Sequence, residues 1–559
     1  MYRLFLCFRY LRRRYLALAA VGAVALCVAM VLIVVSVMDG FLRKVEYAAR
    51  GLCGDIVVDA GGISGIGLYD EFIASLRNEV PEVSAATPVI YTYGLLRVES
   101  LGNTVQICGI RLPERLAVTE FQRDMFVQAG WPDASFDPPI DRIIARTGRH
   151  MELIETIARR ESAKPPDKRD EDLLRKLSIA ENNAAWQRDM LEGIRLRRRT
   201  LERLRLELQA EKSKPAERRN DEKIQQLTEQ IENRTDQLDK EFRPPGKRAI
   251  LGLGLDHMSF RTPDGEAIRM VTPGRRIILT LLPLGRGMST SVSPNTAAFT
   301  VIDDARTDLY PIDSTTVYVP FETLQELTNM GPEYSADEDK VGEIAIPARC
   351  SQIQIKVRPD DASDLKLVQV RQRVNAAIRK FTHAHPSHAA LMPGEAQTWR
   401  EKQAKYIGVI EKQRTLVTIM FGIISLVSVL MIFAIFHMIV THKIRDIGVI
   451  RAVGGSATGV AQIFLGFGVA TALLGSAIGL TGGYFFVRYI NEIQDWLTAK
   501  FAFTVYARDA YLFDKIPNTV EPLTMLWITF GAVGAGLIGV LLPAIMAARM
   551  RPVEALRYE

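Results

Sequence analysis

Four stretches of this chain are too apolar for an ordinary water-exposed helix. They run from Tyr15 to Met38, Leu416 to Val440, Ser456 to Val487 and Leu523 to Met546. Each exceeds the roughly 20 helical residues needed to cross a hydrocarbon core of about 30 Å. The overall composition hides them, because 24% charged and 48% hydrophobic residues describe an average soluble protein. That average blends the four blocks with a long polar segment lying between the first and the second. The first block is longer than the roughly 7–15 residues of a signal-peptide core. It runs on through Val37, Met38, Asp39, Gly40 and Phe41 without an Ala-x-Ala-type cleavage site. An uncleaved first span is therefore expected.

Charge sets the orientation. Arg3, Arg9, Arg12, Arg13 and Arg14 precede the first span, and His442, Lys443, Arg445 and Arg451 separate the second from the third. Arg549, Arg551 and Arg557 follow the fourth. Basic residues concentrate on the cytoplasmic side of membrane proteins, so both termini and the 441–456 segment are expected there. The segments 39–413 and 488–521 then face outward. The net charge of +6 is mostly a property of these flanks, and nucleic acid is not an expected partner. Of the five cysteines, Cys53, Cys108 and Cys350 face outward. Their spacing fits no metal site, and either a Cys53–Cys108 disulfide or three buried thiols accounts for them.

The expected fold class is an α+β membrane protein: four transmembrane helices, with a large outer α/β domain inserted between the first and second. Residues 1–40 hold the cytoplasmic N-terminus and first span, and residues 41–140 the first part of the outer domain. There, Asp55–Val58, Val89–Val98 and Thr104–Ile110 have strand character and Tyr69–Asn78 is helical in pattern. Residues 141–247 change texture to Arg, Glu, Lys and Leu, punctuated by Pro165–Pro166, Pro215 and Pro244–Pro245. A proline ends a helix by lacking the N–H and clashing with the preceding turn. The pattern predicts a coiled-coil hairpin with arms 167–213 and 216–242, the longer reaching about 70 Å at 1.5 Å per residue. Met151–Arg160 is helical too and is placed against the uncovered part of that arm. Residues 248–410 return to α/β texture, with Arg276–Leu282, Ala297–Asp303, Thr315–Val319 and Ile353–Val357 as strands and Asp364–Phe381 as a helix. The two α/β flanks are expected to complete one fold. Residues 411–559 hold the last three spans.

No nucleotide, metal or nucleophile motif emerges. Gly246–Lys247 follows two prolines and lacks the upstream glycine of a phosphate loop. The Gly61–Gly67 run opens no βαβ unit and reads as a loop. His437 stands alone in its span, without an acidic partner for a proton path. The informative segment is His442-Lys-Ile-Arg-Asp-Ile-Gly-Val-Ile-Arg-Ala-Val-Gly-Gly-Ser456. Ile444, Ile447, Ile450 and Val453 share a helical face, and Gly454–Gly455 stops the helix. The choice is between an ordinary basic loop and a short lever.

This segment resembles the coupling helix of the permease superfamily that includes the lipoprotein-releasing LolC/LolE subunits, MacB and FtsX. Leu542-Pro-Ala-Ile-Met-Ala-Ala-Arg-Met-Arg-Pro-Val-Glu-Ala-Leu-Arg-Tyr-Glu559 is similar to the family's closing pattern. Trp399-Arg-Glu-Lys-Gln and, more weakly, Leu251-Gly-Leu-Gly-Leu255 look like the lipoprotein-releasing branch. The helical insertion departs from it. The resemblance implies a multi-pass protein of the bacterial inner membrane with no ATPase activity and no cofactor of its own. ATP and Mg would be bound by a separate cytoplasmic ABC ATPase docking on Lys443–Gly454. Lys443, Arg445, Asp446 and Arg451 are the expected polar contacts, Ile447 and Ile450 the apolar anchors, and Gly454 the stop. ATPase closure would be relayed mechanically to the outer domain.

Small residues repeat at four-residue spacing in the third span (Gly475, Gly479, Gly483) and the fourth (Gly531, Ala535, Gly539). Such rows let helices approach closely in lipid, either within one bundle or against a second permease copy or paralogue in a dimer. The hairpin offers an arm to a periplasmic partner, with Arg195, Arg197, Arg198 and Arg199 as a basic cluster. Three functions fit: lipoprotein release, an FtsX-like relay to an envelope hydrolase, and MacB-like efflux.

Overall fold

The computed structural model describes residues 15–60, 64–98, 101–215, 220–242, 247–255, 258–262, 266–281, 293–307, 310–334, 344–501 and 516–549. The N-terminal arginines, Cys7, Gly61–Ile63, Gly246 and the end of the closing motif, residues 550–559, lie outside them.

In chain order, α1 (Tyr15–Cys53) is followed by β1 (Ile56–Ala60), α2 (Tyr69–Glu79), β2 (Val83–Val98), β3 (Leu101–Ile110) and α3 (Leu112–Val118). Three helices come next: α4 (Ile140–Ser162), α5 (Glu171–Lys212) and α6 (Asp221–Phe242). Then follow β4 (Arg248–Gly252), β5 (Arg276–Leu281), β6 (Asn295–Ala305), β7 (Thr316–Pro320), α7 (Phe321–Leu327), β8 (Gln352–Val357), α8 (Asp364–Ala384) and β9 (Pro393–Thr398). The chain continues as α9 (Ala404–His442), α10 (Ile444–Ala452), α11 (Ala457–Arg488), α12 (Ile490–Phe501) and α13 (Pro522–Arg549).

Two compact units result, one of residues 47–404 and one of the membrane elements. In the membrane unit, α1, α9, α11 and α13 are each long and apolar enough to cross a membrane. Their shared core is Val24, Val28, Ile432, Phe436, Phe467 and Val540. Ion pairs Arg414–Asp39 (2.7 Å) and Arg43–Glu521 join the helices where they leave the apolar zone.

The outer unit is built on one nine-stranded sheet ordered β9-β1-β8-β2-β3-β7-β4-β6-β5. Both α/β flanks contribute to it, because β1 pairs antiparallel with β8 and β9, and β3 runs parallel to β7. Long β2 changes neighbours along one edge. Its first half pairs with β8 (Ala86 opposite Ile355) and its second with β5 (Leu96 opposite Leu279). Strands β2-β3-β7-β4-β6-β5 thereby close on themselves. The core beneath includes Val89, Cys108, Phe121, Ile250, Ile302 and Tyr318. On the other side α2 and α8 pack through the edge-to-face pair Phe72–Phe381, centroids 5.3 Å apart. Cys53, Cys108 and Cys350 are free buried thiols, so the disulfide option falls.

In the insertion, the last turn of α4 meets the start of α5 through Ile154, Ile157, Leu173 and Leu177. The start of α4 meets the middle of α5, where Leu238 of α6 also arrives, through Ile143, Ile144, Leu191 and Ile194. Helix α5 therefore has α4 along its first half and α6 along its second. The first half also lies on Phe260, Ile268 and Met270 of the outer unit. This shortens the reach estimated from sequence. The pair standing clear is limited by the 22 residues of α6, about 33 Å at 1.5 Å per residue rather than 70 Å.

Candidate functional site

Helix α10 begins one residue after α9 ends. Helix α10 stops in a fully formed Schellman motif. Gly455 N donates to Ile450 O (2.9 Å) and Gly454 N to Arg451 O (3.2 Å), the pair of bonds that satisfies the last carbonyls of a helix. The two glycines serve different needs. Gly454 has φ +96°, a left-handed conformation that L side chains disfavour. A Cβ on Gly455 would stand 2.7 Å from Ile450 O. Ser456 then caps α11, its Oγ accepting from Gly459 N at 3.0 Å.

One face of α10 is bolted to its own bundle. Ile447 is only 3% exposed and packs with Val440 of α9, Val460 of α11 and Ala547 of α13. Arg451 Nη1 donates to Ala548 O at 2.7 Å. Lys443 pairs with Asp446. The opposite face carries Arg445, Asp446, Val449, Ile450 and Val453, and Val453 is 85% exposed. Ile447 is buried against the membrane bundle, and half-buried Arg451 is tied to it through Ala548 O. Val449 joins Ile450 and Val453 as the outward apolar group. Isoleucines at 444, 447 and 450 suggested one face, but 100° per residue turns Ile450 well away from Ile447, and it is 39% exposed where Ile447 is 3%.

The small-residue rows are placed one by one. A Cβ on Gly475 would meet Val24 Cβ at 2.6 Å; Gly479 and Gly483 lie against Ala25, Val28, Ala29 and Leu32. All three thus face α1 of the same chain. Gly539 sits against Ile432 of α9, and Gly531 has open space around it.

A second site was not legible as one. Helix α1 ends inside the outer unit, where Gly54 takes φ +73° and donates to Arg50 O at 3.0 Å. Arg115 of α3, 1% exposed, donates from Nη2 to Leu52 O at 2.6 Å and from Nη1 to Gln354 Oε1 of β8. Among the described residues no carboxylate pairs with it. A cation here complements the negative end of the α1 dipole. Asp55 accepts from Arg50 Nε (2.6 Å) and Val357 N (2.9 Å). Its carbonyl accepts from Trp399 N at 3.0 Å, while Gln403 Nε2 donates to Cys53 Sγ at 3.4 Å. The end of α1 and the turn that precedes α9 are thus tied at one point. Nothing in the Leu112–Val118 sequence, which carries Glu114 beside Arg115, marks that arginine as buried.

Two family models match this chain: the FtsX-like permease C-terminal model over residues 418–552 and the MacB-like periplasmic core domain over residues 17–137. The first spans the lever and its bolts, and the second includes α1, β1–β3 and Arg115. The lipoprotein-releasing system transmembrane protein LolC of Xylella fastidiosa is 28% identical over 161 residues, covering 29% of this chain and 39% of that protein. LolC of Neisseria meningitidis serogroup B is 22% identical over 313 residues, covering 56% of this chain and 65% of its own length. The macrolide export ATP-binding/permease protein MacB of Syntrophobacter fumaroxidans is 24% identical over 357 residues, covering 57% and 44%. The chain thus spans between about two fifths and two thirds of the LolC relatives it matches. Its likeness is to the LolC/LolE type within the FtsX- and MacB-like permeases.

Proposed function

We propose that this chain is the permease subunit of an ABC transporter of the lipoprotein-releasing type, and that α10 couples it to a separate cytoplasmic ATPase. The observation that carries the reading is the two-sided lever. One side is fixed to the ends of α9, α11 and α13, and the other offers Arg445, Asp446, Val449, Ile450 and Val453 to a partner. A rigid element held on three spans passes a push to all of them at once. ATP and Mg belong to the ATPase, and this chain performs no chemistry. It sits in the bacterial inner membrane with both termini and the lever cytoplasmic, in accord with the basic flanks. The outer unit then faces the periplasm and acts on cargo held in the outer leaflet. The second half of the transporter is another copy or a paralogue. Leu416, Ile419, Met420, Ile423 and Leu430 of α9 are left for lipid or that partner by their exposure.

The test is co-purification of the ATPase with Arg445→Glu and Val453→Asp variants, against a wild-type control. Loss of ATPase with the permease still in the membrane supports the reading; full retention refutes it. A second reading, an FtsX-like relay to an envelope hydrolase, is favoured by the α5–α6 pair, which stands clear of the outer unit as a partner-binding coiled coil would. Photo-crosslinking from the outer unit separates the two. Lipoproteins captured support release, and a hydrolase captured supports the relay.

A further inference from the structure

The two connections of the helical insertion share one sequence pattern. The first reads Glu161-Ser-Ala-Lys164-Pro165-Pro-Asp-Lys-Arg169-Asp170, and the second Glu211-Lys-Ser-Lys214-Pro215-Ala-Glu-Arg-Arg219-Asn220. Position 161 recurs at 211, 164 at 214, 165 at 215 and 169 at 219, a constant offset of 50 residues. The bonds recur at the same offset. Glu161 Oε2 accepts from Lys164 Nζ at 2.6 Å, and Glu211 Oε2 from Lys214 Nζ at 2.7 Å. Glu161 Oε1 accepts from Asp170 N at 3.0 Å, and Glu211 Oε1 from Asn220 N at 3.4 Å. Asp170 Oδ1 caps Leu173 N at 2.9 Å, and Asn220 Oδ1 caps Lys223 N at 3.0 Å. Both glutamates are nearly buried, at 5% and 4% exposure. The offset continues outside the turns, with buried Ile144 matching Ile194, Met151 matching Leu201 and Leu177 matching Leu227.

We propose that the insertion is two tandem copies of one 50-residue helical hairpin, and that the second copy is a separable module standing on a fold complete without it. Helix α5 is the return arm of the first copy and the outgoing arm of the second. The copies differ where their surroundings differ. Ile157, Leu173 and Ala180 of the first lie beneath Ile268, Phe260 and Met270. Their counterparts Glu207, Lys223 and Gln230 are polar, as befits a copy with water on that face. The first copy is integrated into the outer unit and the second projects. The chain path supports removal, because Leu191 and Leu238 share one small cluster with Ile143 and Ile144. Excising one repeat, residues 192–241, therefore rejoins positions that already lie close together.

The experiment compares the unaltered chain with four variants in detergent. Removal of residues 192–241 is expected to leave a monodisperse protein whose outer-unit melting transition shifts by less than about 4 °C. Removal of residues 167–191 is out of step with the repeat, strips Leu173, Leu177 and Ala180 from Phe260 and Ile268, and is expected to abolish that transition. Glu161→Gln and Glu211→Gln report on whether the turns are equivalent. Each is expected to raise the rate of proteolysis at its own turn by a similar factor, without affecting the other. Aggregation of the in-step deletion, or equal tolerance of both deletions, overturns the proposal, as does an effect of only one glutamate variant.

Discussion

Replacing Arg115 with methionine tests whether a buried cation holds the end of α1. Methionine keeps most of the volume, so packing loss is small. The change also removes a desolvated charge that no carboxylate pairs, which by itself is favourable. Against this, Leu52 O and Gln354 Oε1 lose their donors. Gln354 keeps contacts through Nε2 to Tyr91 Oη (3.2 Å) and Gln352 Oε1 (2.8 Å) and can readjust. Leu52 O cannot, because Leu52 is itself buried at the helix end. An orphaned buried carbonyl costs about 1–3 kcal/mol, so Arg115→Met is expected to destabilise the outer unit by about that much. Arg115→Ala adds a cavity and should cost about 2 kcal/mol more. At about 2–4 °C per kcal/mol, the methionine variant should melt roughly 2–12 °C below wild type. Tryptophan fluorescence and limited proteolysis near Leu52 would report it. A methionine variant as stable as wild type, with Leu52 still protected, would show that the guanidinium does not cap the helix.

Burial pushes His150 down to about 4, helped by the Arg269 charge, and pushes Asp303 up to about 7, helped by Asp304. Neutral His150 loses about 3 kcal/mol of stability as pH falls through about 6.5 to 4, whereas protonated Asp303 gains about 4 kcal/mol as pH falls from about 7 to 3.8. Wild-type melting should therefore be nearly flat across that range, and His150→Gln should become more stable toward acid; a pH-independent His150→Gln profile contradicts the assignment. Gly479→Val drives a side chain into the Ala25 backbone and should cost about 1–3 kcal/mol of membrane-unit stability. Gly531→Val, with open space around it, should be tolerated; thermal aggregation in detergent distinguishes them. Gly454→Ala should weaken the lever stop by about 1 kcal/mol, with Gly454→Asn less costly; hydrogen exchange over residues 444–455 measures both.

The membrane helices were legible because an uncharged block has few alternatives, but their lengths were not. Helix α1 runs on past Asp39 to Cys53, where nothing in hydropathy demands a helix. Strands β2 and β3 were read from β-branched runs, whereas β9 was missed. Its Pro-Gly-Glu-Ala-Gln-Thr sequence has little strand character and is held by pairing with β1. Strand Arg248–Gly252 was not read as one: only its end falls in the Leu251–Leu255 run likened to the lipoprotein-releasing branch, and its burial in the ring depends on partners distant in sequence. At the lever, helical phase separated inward from outward only once the neighbours Val460 and Ala547 were in place. Arg115 was unreadable because its partners are a backbone carbonyl and a glutamine far along the chain.

The branching of β2 also orders events during folding. Leu96 cannot meet Leu279 until the chain between them has been delivered, and that chain contains the whole insertion. Contacts within α4, α5 and α6 are local and form fast, whereas ring closure waits on a large loop. Until then the later half of β2 has an unsatisfied edge, so the nascent outer unit is most vulnerable to wrong strand pairing in the interval between making its helices and receiving β5.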